Sequence, residues 1–281
     1  MKLAHLILAH KEPKQLERLI QRLEHIDADI YIHLDKKTDI RQFEYLTKYK
    51  NVFFIRKRVR VYWGSYTVVH ATLNSLREVV ASNKSYHHVN LLSGQDYPLR
   101  PAAYIQEYLK QNIGVAFINH LLFDPDWREA LARVDKYHFN SFRMPGRYVL
   151  QRIINRFAPK REFPNNLIPV GRSQWFTIPL ECVAYVLDYW DKNPQIEHFM
   201  RFTWAPDEFV FHTILYNSVF KEKMASDDLR YIDWSAGGAN PKLLDMSDAE
   251  KLLSSGKLYA RKFDIKFPEV LDLIDEKRLL R

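Results

Sequence analysis

Short apolar runs in the first 120 residues alternate with segments whose leucines and valines return every three or four positions, and few folds accept that alternation. Residues 3–9 (LAHLILA) read as a buried strand. Pro13 then stands where a first helical turn accepts proline, with Leu16, Leu19, Ile20 and Leu23 at helical spacing behind it. Residues 28–34 (ADIYIHL) alternate like a second strand, a polar helix is expected over 40–49, and a short strand over 52–55. Val69, Leu73, Leu76 and Val80 mark another helix, and residues 87–92 (HHVNLL) and 115–119 (VAFIN) two more strands. This βαβ rhythm predicts an α/β fold, a mostly parallel sheet with helices on both faces. Ligands of such sheets lie outside the carboxyl ends of the strands, so the strand-end loops are where chemistry is sought first.

Residues 121–172 break the rhythm. Over 143–172, seven basic residues stand against one acid, Glu162, with Tyr148, Phe157 and Phe163 interleaved. Helices are expected again at about 179–191 and 206–218. No internal repeat or Gly/Ser linker interrupts the 281 residues, so the expectation is one domain with a basic insertion at about 121–172. A content of 47% hydrophobic and 14% aromatic residues supplies a sizeable core and excludes disorder or a fibre. The 8 glycines form no dinucleotide, P-loop or serine-hydrolase signature. Cys182 is the sole cysteine, which excludes an intrachain disulfide framework and a cysteine zinc cluster. The opening MKLAHLILAH has too short an apolar core for a secretory signal. No apolar run approaches the roughly 18 to 20 residues that cross a bilayer. A soluble, cytoplasmic protein is expected. Its 42 basic against 34 acidic residues (+8) suit an anionic partner.

Several strand-end loops carry reactive side chains. The second strand ends in His33-Leu34-Asp35-Lys36-Lys37, where Asp35 can accept from a ribose or base and the lysines can meet phosphate; such spacing is also that of a solvated turn. The string Ser93-Gly94-Gln95-Asp96-Tyr97-Pro98 combines close backbone approach at Gly94 with hydrogen-bonding groups on Gln95 and Asp96, or is an ordinary turn. Trp63, before a helix, can stack on a sugar ring or simply pack. Ala205-Pro206-Asp207-Glu208 offers a general base, or the usual acids of a helix start. Lys242 and the pair Arg261-Lys262 can hold a diphosphate leaving group, or lie on a solvated face. Asp27-Ala28-Asp29 and Asp124-Pro125-Asp126 are formal D-x-D triplets. The first precedes its strand and so sits at the wrong end of the sheet; the second is better placed, but a metal role is not the expectation. The rings of His87 and His88 are expected on opposite strand faces.

Together these pieces resemble the core-2/I-branching enzyme family of glycosyltransferases, which includes branching β-1,6-N-acetylglucosaminyltransferases and peptide-O-xylosyltransferases. The segments that carry the resemblance are LILAHKEPKQLERLIQRL, IYIHLDKK, VRVYWGSYTVVHATLNSL, HHVNLLSGQDYPLRP, GRSQWFTI, WAPDEFVFHTIL, LRYIDW and GKLYARKFD, in the family's order over about residues 3–264. The resemblance implies a GT-A-type nucleotide-sugar fold, inversion at the anomeric carbon, and basic residues in place of a metal to neutralise UDP. It puts the catalytic base on Glu208 and a leaving-group cation on Lys262, with Lys242 the choice for a second. His10, Asp35, Gly94, Gln95, Asp96 and Arg261 complete the donor side. Trp63, Trp175 and Asp207 are assigned to the acceptor. No cofactor is implied beyond the UDP-sugar donor, for which N-acetylglucosamine is expected and xylose is the alternative.

The animal members are Golgi membrane proteins with disulfides, so this chain looks like a bacterial cytoplasmic member. Its acceptor is then expected among glycan or lipid-linked glycan intermediates of polysaccharide assembly. A rival reading is a non-catalytic protein whose basic aromatic stretch grips nucleic acid or an anionic membrane. Arg143, Arg147, Arg152 and Arg156, spaced four, five and four, can share a helix face, the helix itself starting near Arg147 after Pro145 and Gly146. Leu150, Ile153, Ile154 and Phe157 supply apolar neighbours. Salt-dependent contact with the anionic inner face of a membrane is therefore expected of this stretch, and no nucleic-acid partner.

Overall fold

The computed structural model describes residues 2–279. The chain begins with β1 (Lys2–Ala9), α1 (Pro13–Leu23), β2 (Ala28–Leu34), β3 (Val52–Phe54), α2 (Tyr66–Ala81), β4 (Tyr86–Ser93) and β5 (Asp96–Pro98). It continues with α3 (Ala102–Gln111), β6 (Ala116–Leu122), α4 (Leu131–Asp135), α5 (Arg147–Phe157), β7 (Val170–Pro179), α6 (Leu180–Lys192), α7 (Pro194–Arg201) and α8 (Val210–Tyr216). It closes with β8 (Met224–Ala225), β9 (Arg230–Ile232), α9 (Ala249–Ser254), β10 (Tyr259–Arg261) and α10 (Pro268–Ile274). These elements gather into two compact units. One holds residues up to 56, 84–114 and from 229 on; the other holds 57–83 and 115–228.

In the first unit four strands run parallel in the order β3-β2-β1-β4. Ile7 of β1 pairs with Ile32 on one side and Leu92 on the other. All seven residues of β2 are buried, as in a strand covered on both faces. Helix α1 buries Leu16, Leu19, Ile20 and Leu23, as its spacing predicts, and with them the polar Gln15. A second, small sheet in this unit has the order β5-β10-β9. In it Arg261 lies opposite Asp96 on the antiparallel side and opposite Ile232 on the parallel side. The turn after β4 is thereby joined to a segment more than 160 residues later. Asp275, directly after α10, accepts from Arg18 Nη2 (2.8 Å), Arg22 Nε (2.8 Å) and Tyr97 Oη (2.7 Å), which clamps the end of α10 to α1 and β5.

The second unit is built on β7, antiparallel to β6, which pairs in parallel with β8. Val183, Val186 and Trp190 of α6 and Val69, Leu73 and Leu76 of α2 form buried stripes at helical spacing. Helix α8 is buried from Val210 to Leu215, on every side. Among the described residues no helix is long and apolar enough to cross a membrane.

The predicted parallel sheet flanked by helices is present, with local corrections. The polar helix expected over 40–49 is two 3₁₀ turns, Ile40–Gln42 and Glu44–Lys48, because Phe43 and Leu46 alone reach the core there. The helix expected over 206–218 is broken. Pro206–Glu208 forms a separate 3₁₀ turn, entered through Ala205 at φ 46° and left through Phe209 at φ −150°. Strand β7 escapes a periodicity reading because Gly171, Arg172 and Ser173 interrupt its apolar pattern. His87 and His88 do not point apart: their Nδ1 atoms meet at 3.0 Å. Helix α5 does begin at Arg147, but Arg143 lies outside it, its guanidinium 3.6 Å from the centre of the Tyr62 ring, so the four arginines share no single face.

Candidate functional site

In the first unit, the carboxyl ends of β1, β2 and β4 deliver His10-Lys11, Asp35-Lys36-Lys37 and Ser93-Gly94-Gln95-Asp96, and β10 delivers Arg261-Lys262. These groups act on one another electrostatically. Burial first, and then Lys11, Lys262 and Lys37, hold the His10 imidazole below its ordinary proton affinity, while Asp35 opposes them. Lys262 is likewise lowered, by burial and then by Arg261 and Lys11, against a smaller pull from Asp264 and Asp96. Lys11 is tied to Asp264 (3.2 Å) and Lys37 to Asp35 (3.3 Å); Lys262 has no carboxylate partner among the described residues. A half-buried ammonium crowded by like charges is stabilised by an incoming anion, which removes the repulsion that lowers it.

Other members of this group hold the loops in place. Asp96 accepts from Ser93 N (3.0 Å) and Ser93 Oγ (2.7 Å), closing its own turn, and from Arg261 Nε (2.9 Å). Gln95 donates Nε2 to Phe263 O (3.1 Å) and accepts Phe263 N at its own carbonyl (2.9 Å). Gln15 spans Gly94 O (3.3 Å) and Phe263 O (3.2 Å) from α1. A Cβ at Gly94 would rest 3.4 Å from the Ala9 Cβ, an ordinary contact, so the fold itself does not demand glycine there. Lys242 is occupied elsewhere: Asp248, almost wholly buried, receives its Nζ at 2.7 and 2.8 Å.

In the second unit Glu208 sits on the 3₁₀ turn against β7. The backbone there lies so close that a Cβ on Gly171 would come within 2.4 Å of Glu208 O and 2.3 Å of Phe209 Cβ. Arg133, from α4, pairs with Glu208 Oε2. Its guanidinium lies 4.6 Å from the Trp127 ring centre and 4.5 Å from that of Trp204. Trp204 in turn meets the edge of Trp63, ring centres 6.2 Å apart, and Trp63 is 64% exposed. Gly64 makes this possible: its φ is +64°, and a Cβ would stand 2.8 Å from Trp204 Nε1. Asp207 is buried, its Oδ1 has no hydrogen-bond partner among the described residues, and its carboxyl is pushed up to about 7 by burial and then by Glu208, against Arg133. Trp175 is buried on β7 and shows solvent little of its ring. Asp124 is paired with Arg128 at 2.8 Å, and among the described residues no three His, Cys, Asp or Glu side chains gather as a metal-holding group.

Lys11, Gln15, Arg133, Trp127 and Trp204 belong to these clusters and were missed by sequence reasoning. Gln15 alone carried a local signal, as a polar residue on the apolar face of α1. Arg133 and Trp127 come from the stretch where the regular pattern lapses.

The profile of a family described as Core-2/I-Branching enzyme matches residues 3–253. Human Xylosyltransferase 2 is 24% identical over 305 residues, which cover 98% of this chain and 33% of that protein. A Xylosyltransferase of Ciona intestinalis is 23% identical over 298 residues, covering 99% and 34%. The chain thus spans about a third of the length of these curated relatives. Among solved structures, apo mouse Xyloside xylosyltransferase 1 aligns with a TM-score of 0.42 and 12% identity, over 95% of this chain and 99% of that one.

Proposed function

Because the chain belongs to the Core-2/I-Branching enzyme family, we propose that it is an inverting glycosyltransferase, one GT-A-type transferase domain that moves a sugar from a UDP-sugar to a hydroxyl of a glycan acceptor. The observation that carries this reading is the basic group His10, Lys11, Lys37, Arg261 and Lys262 at the strand ends of the first unit, in which Lys262, partly buried, lacks a carboxylate counter-ion among the described residues. A diphosphate supplies a counter-ion. Asp96, Gln95 and Gln15 act as positioning residues, fixing Arg261 and the Phe263 backbone. Lys242, committed to Asp248, steadies the loop before α9.

Glu208 is the base. Arg133 takes Oε2, leaving Oε1 for the acceptor hydroxyl. The hydroxyl proton passes to Glu208 as the oxygen attacks the anomeric carbon from the face opposite UDP. The bond from that carbon to the β-phosphate oxygen breaks, and its electron pair leaves with UDP. Lys262 stabilises the growing charge in the role a metal ion plays elsewhere. Trp63, exposed and braced by Trp204, is suited to stack on an acceptor sugar.

The names of the relatives favour UDP-xylose as donor; UDP-N-acetylglucosamine, expected from the branching members, is the second reading. Slow donor hydrolysis measured with both sugars in excess EDTA tests the proposal. Release of UDP from one of them, undiminished by EDTA, is expected. Activity lost to EDTA and restored by Mn²⁺ would overturn the metal-free reading, and absence of UDP binding would overturn the transferase.

A further inference from the structure

Helix α5 is amphipathic the wrong way round. A surface helix ordinarily turns its apolar stripe to the core and its polar residues to water. Here the inward side chains are Gln151, which accepts Phe139 N at 2.9 Å, and Asn155, which accepts Tyr137 N and donates to Tyr137 O, both at 2.8 Å. At 100° per residue, Val149, Ile153 and Phe157 project from the opposite side. They are 59%, 52% and 78% exposed, and no residue of the helix is buried. Two amides spent on holding a helix by its polar face leave the apolar face for something other than this unit's core.

Charge indicates what covers it. No acid occurs between 143 and 161. Arg147 is engaged with Phe142 O (2.7 Å) and Tyr148 Oη (2.9 Å), but Arg152 and Arg156 are exposed, without carboxylate partners among the described residues, and border the apolar stripe. An aliphatic and aromatic stripe edged by unpaired guanidinium groups matches hydrocarbon below and lipid phosphates beside it. Eleven residues make about 16 Å of helix, too short to span a bilayer and long enough to lie in its surface. We propose that α5 is an interfacial helix that docks the protein on an anionic bilayer, with Val149, Ile153 and Phe157 inserted and Arg152 and Arg156 at the headgroups.

Sedimentation of the full chain with phosphatidylcholine vesicles, with and without phosphatidylglycerol, tests this. Binding is expected only with phosphatidylglycerol, weakening as salt rises. Arg152→Gln with Arg156→Gln should lower the partition coefficient about thirtyfold. Ile153→Ser with Phe157→Ser should lower it about tenfold or more at unchanged charge. Ile153 and Phe157 are more than half exposed, so melting temperatures should change little. Because Cys182 is buried, a polarity-sensitive dye on Ile153→Cys reports insertion directly, and should shift to the blue with anionic vesicles. Equal sedimentation of the wild type and the arginine variant would overturn the proposal. So would a serine variant that binds like wild type, or vesicle-free self-association abolished by the serine changes, which would assign the stripe to a second copy of the chain.

Discussion

Glu208 and Lys262 carry opposite halves of the proposed reaction, and single substitutions should separate them. Glu208 is held by the Arg133 pair and by a backbone pressed onto Gly171, so its carboxylate has little freedom to lose. Glu208→Gln preserves its shape and removes its basicity. Transfer should fall about 10²- to 10⁴-fold with UDP affinity unchanged. Lys262→Ala removes a half-buried cation that has no carboxylate partner among the described residues. It should weaken UDP binding and slow transfer by about 10²- to 10³-fold. Steady-state kinetics with UDP titrations check both, and a Glu208→Gln enzyme retaining half its rate would remove that residue from the base role.

The clamp that closes the first unit belongs to the scale of elements. Burial by itself would push the Asp275 carboxyl up, but hydrogen bonds from Arg22, Tyr97 and Arg18 outweigh it and hold the group below the usual carboxylate range. Asp275→Ala leaves two guanidinium groups and a phenol facing an empty acceptor. Arg18 keeps Asp272, and both guanidinium groups reach solvent, so the change should cost about 1 to 3 kcal/mol of unfolding free energy at neutral pH. A depressed carboxyl contributes its stability above the unfolded value of about 3.9 and loses it as pH falls through the lower folded value. Wild type and variant should therefore converge in strong acid. Coincident urea midpoints at pH 7 would show that the three donors find partners elsewhere.

For the molecule as a whole, buried histidines set the response to mild acid. Burial drives His5 to about 3, with Arg230 and His87 adding to it; His212 falls to about 3 and His87 to about 4, again chiefly by burial. Each contributes stability above the unfolded value of about 6.5 that is lost as pH falls toward its folded value. Asp207, raised to about 7, works in reverse: its contribution is present in acid and disappears as pH rises through 7. Stability should thus peak near neutrality and decline between pH 6.5 and 4, before most carboxylates titrate, as urea midpoints across that range would reveal; a flat profile would contradict the buried neutral rings. How much of this protein its sequence could disclose depends on the range of the forces involved. The alternation of apolar runs over residues 3–119 determined the parallel strands and α1 and α2, because periodic burial is written locally in residue spacing. The D-Y-P and A-R-K strings, the strand-end acids and the P-D-E turn were equally visible as candidates. Only the tertiary structure decided which of them meet. Asp96 finds Arg261 through a small sheet that joins distant segments, Lys242 is spent on Asp248, and Arg133 reaches Glu208 from a stretch without periodicity. Pairings of that kind depend on chain topology, and on burial that turns some charges into structure and leaves others for a ligand, which no local spacing encodes.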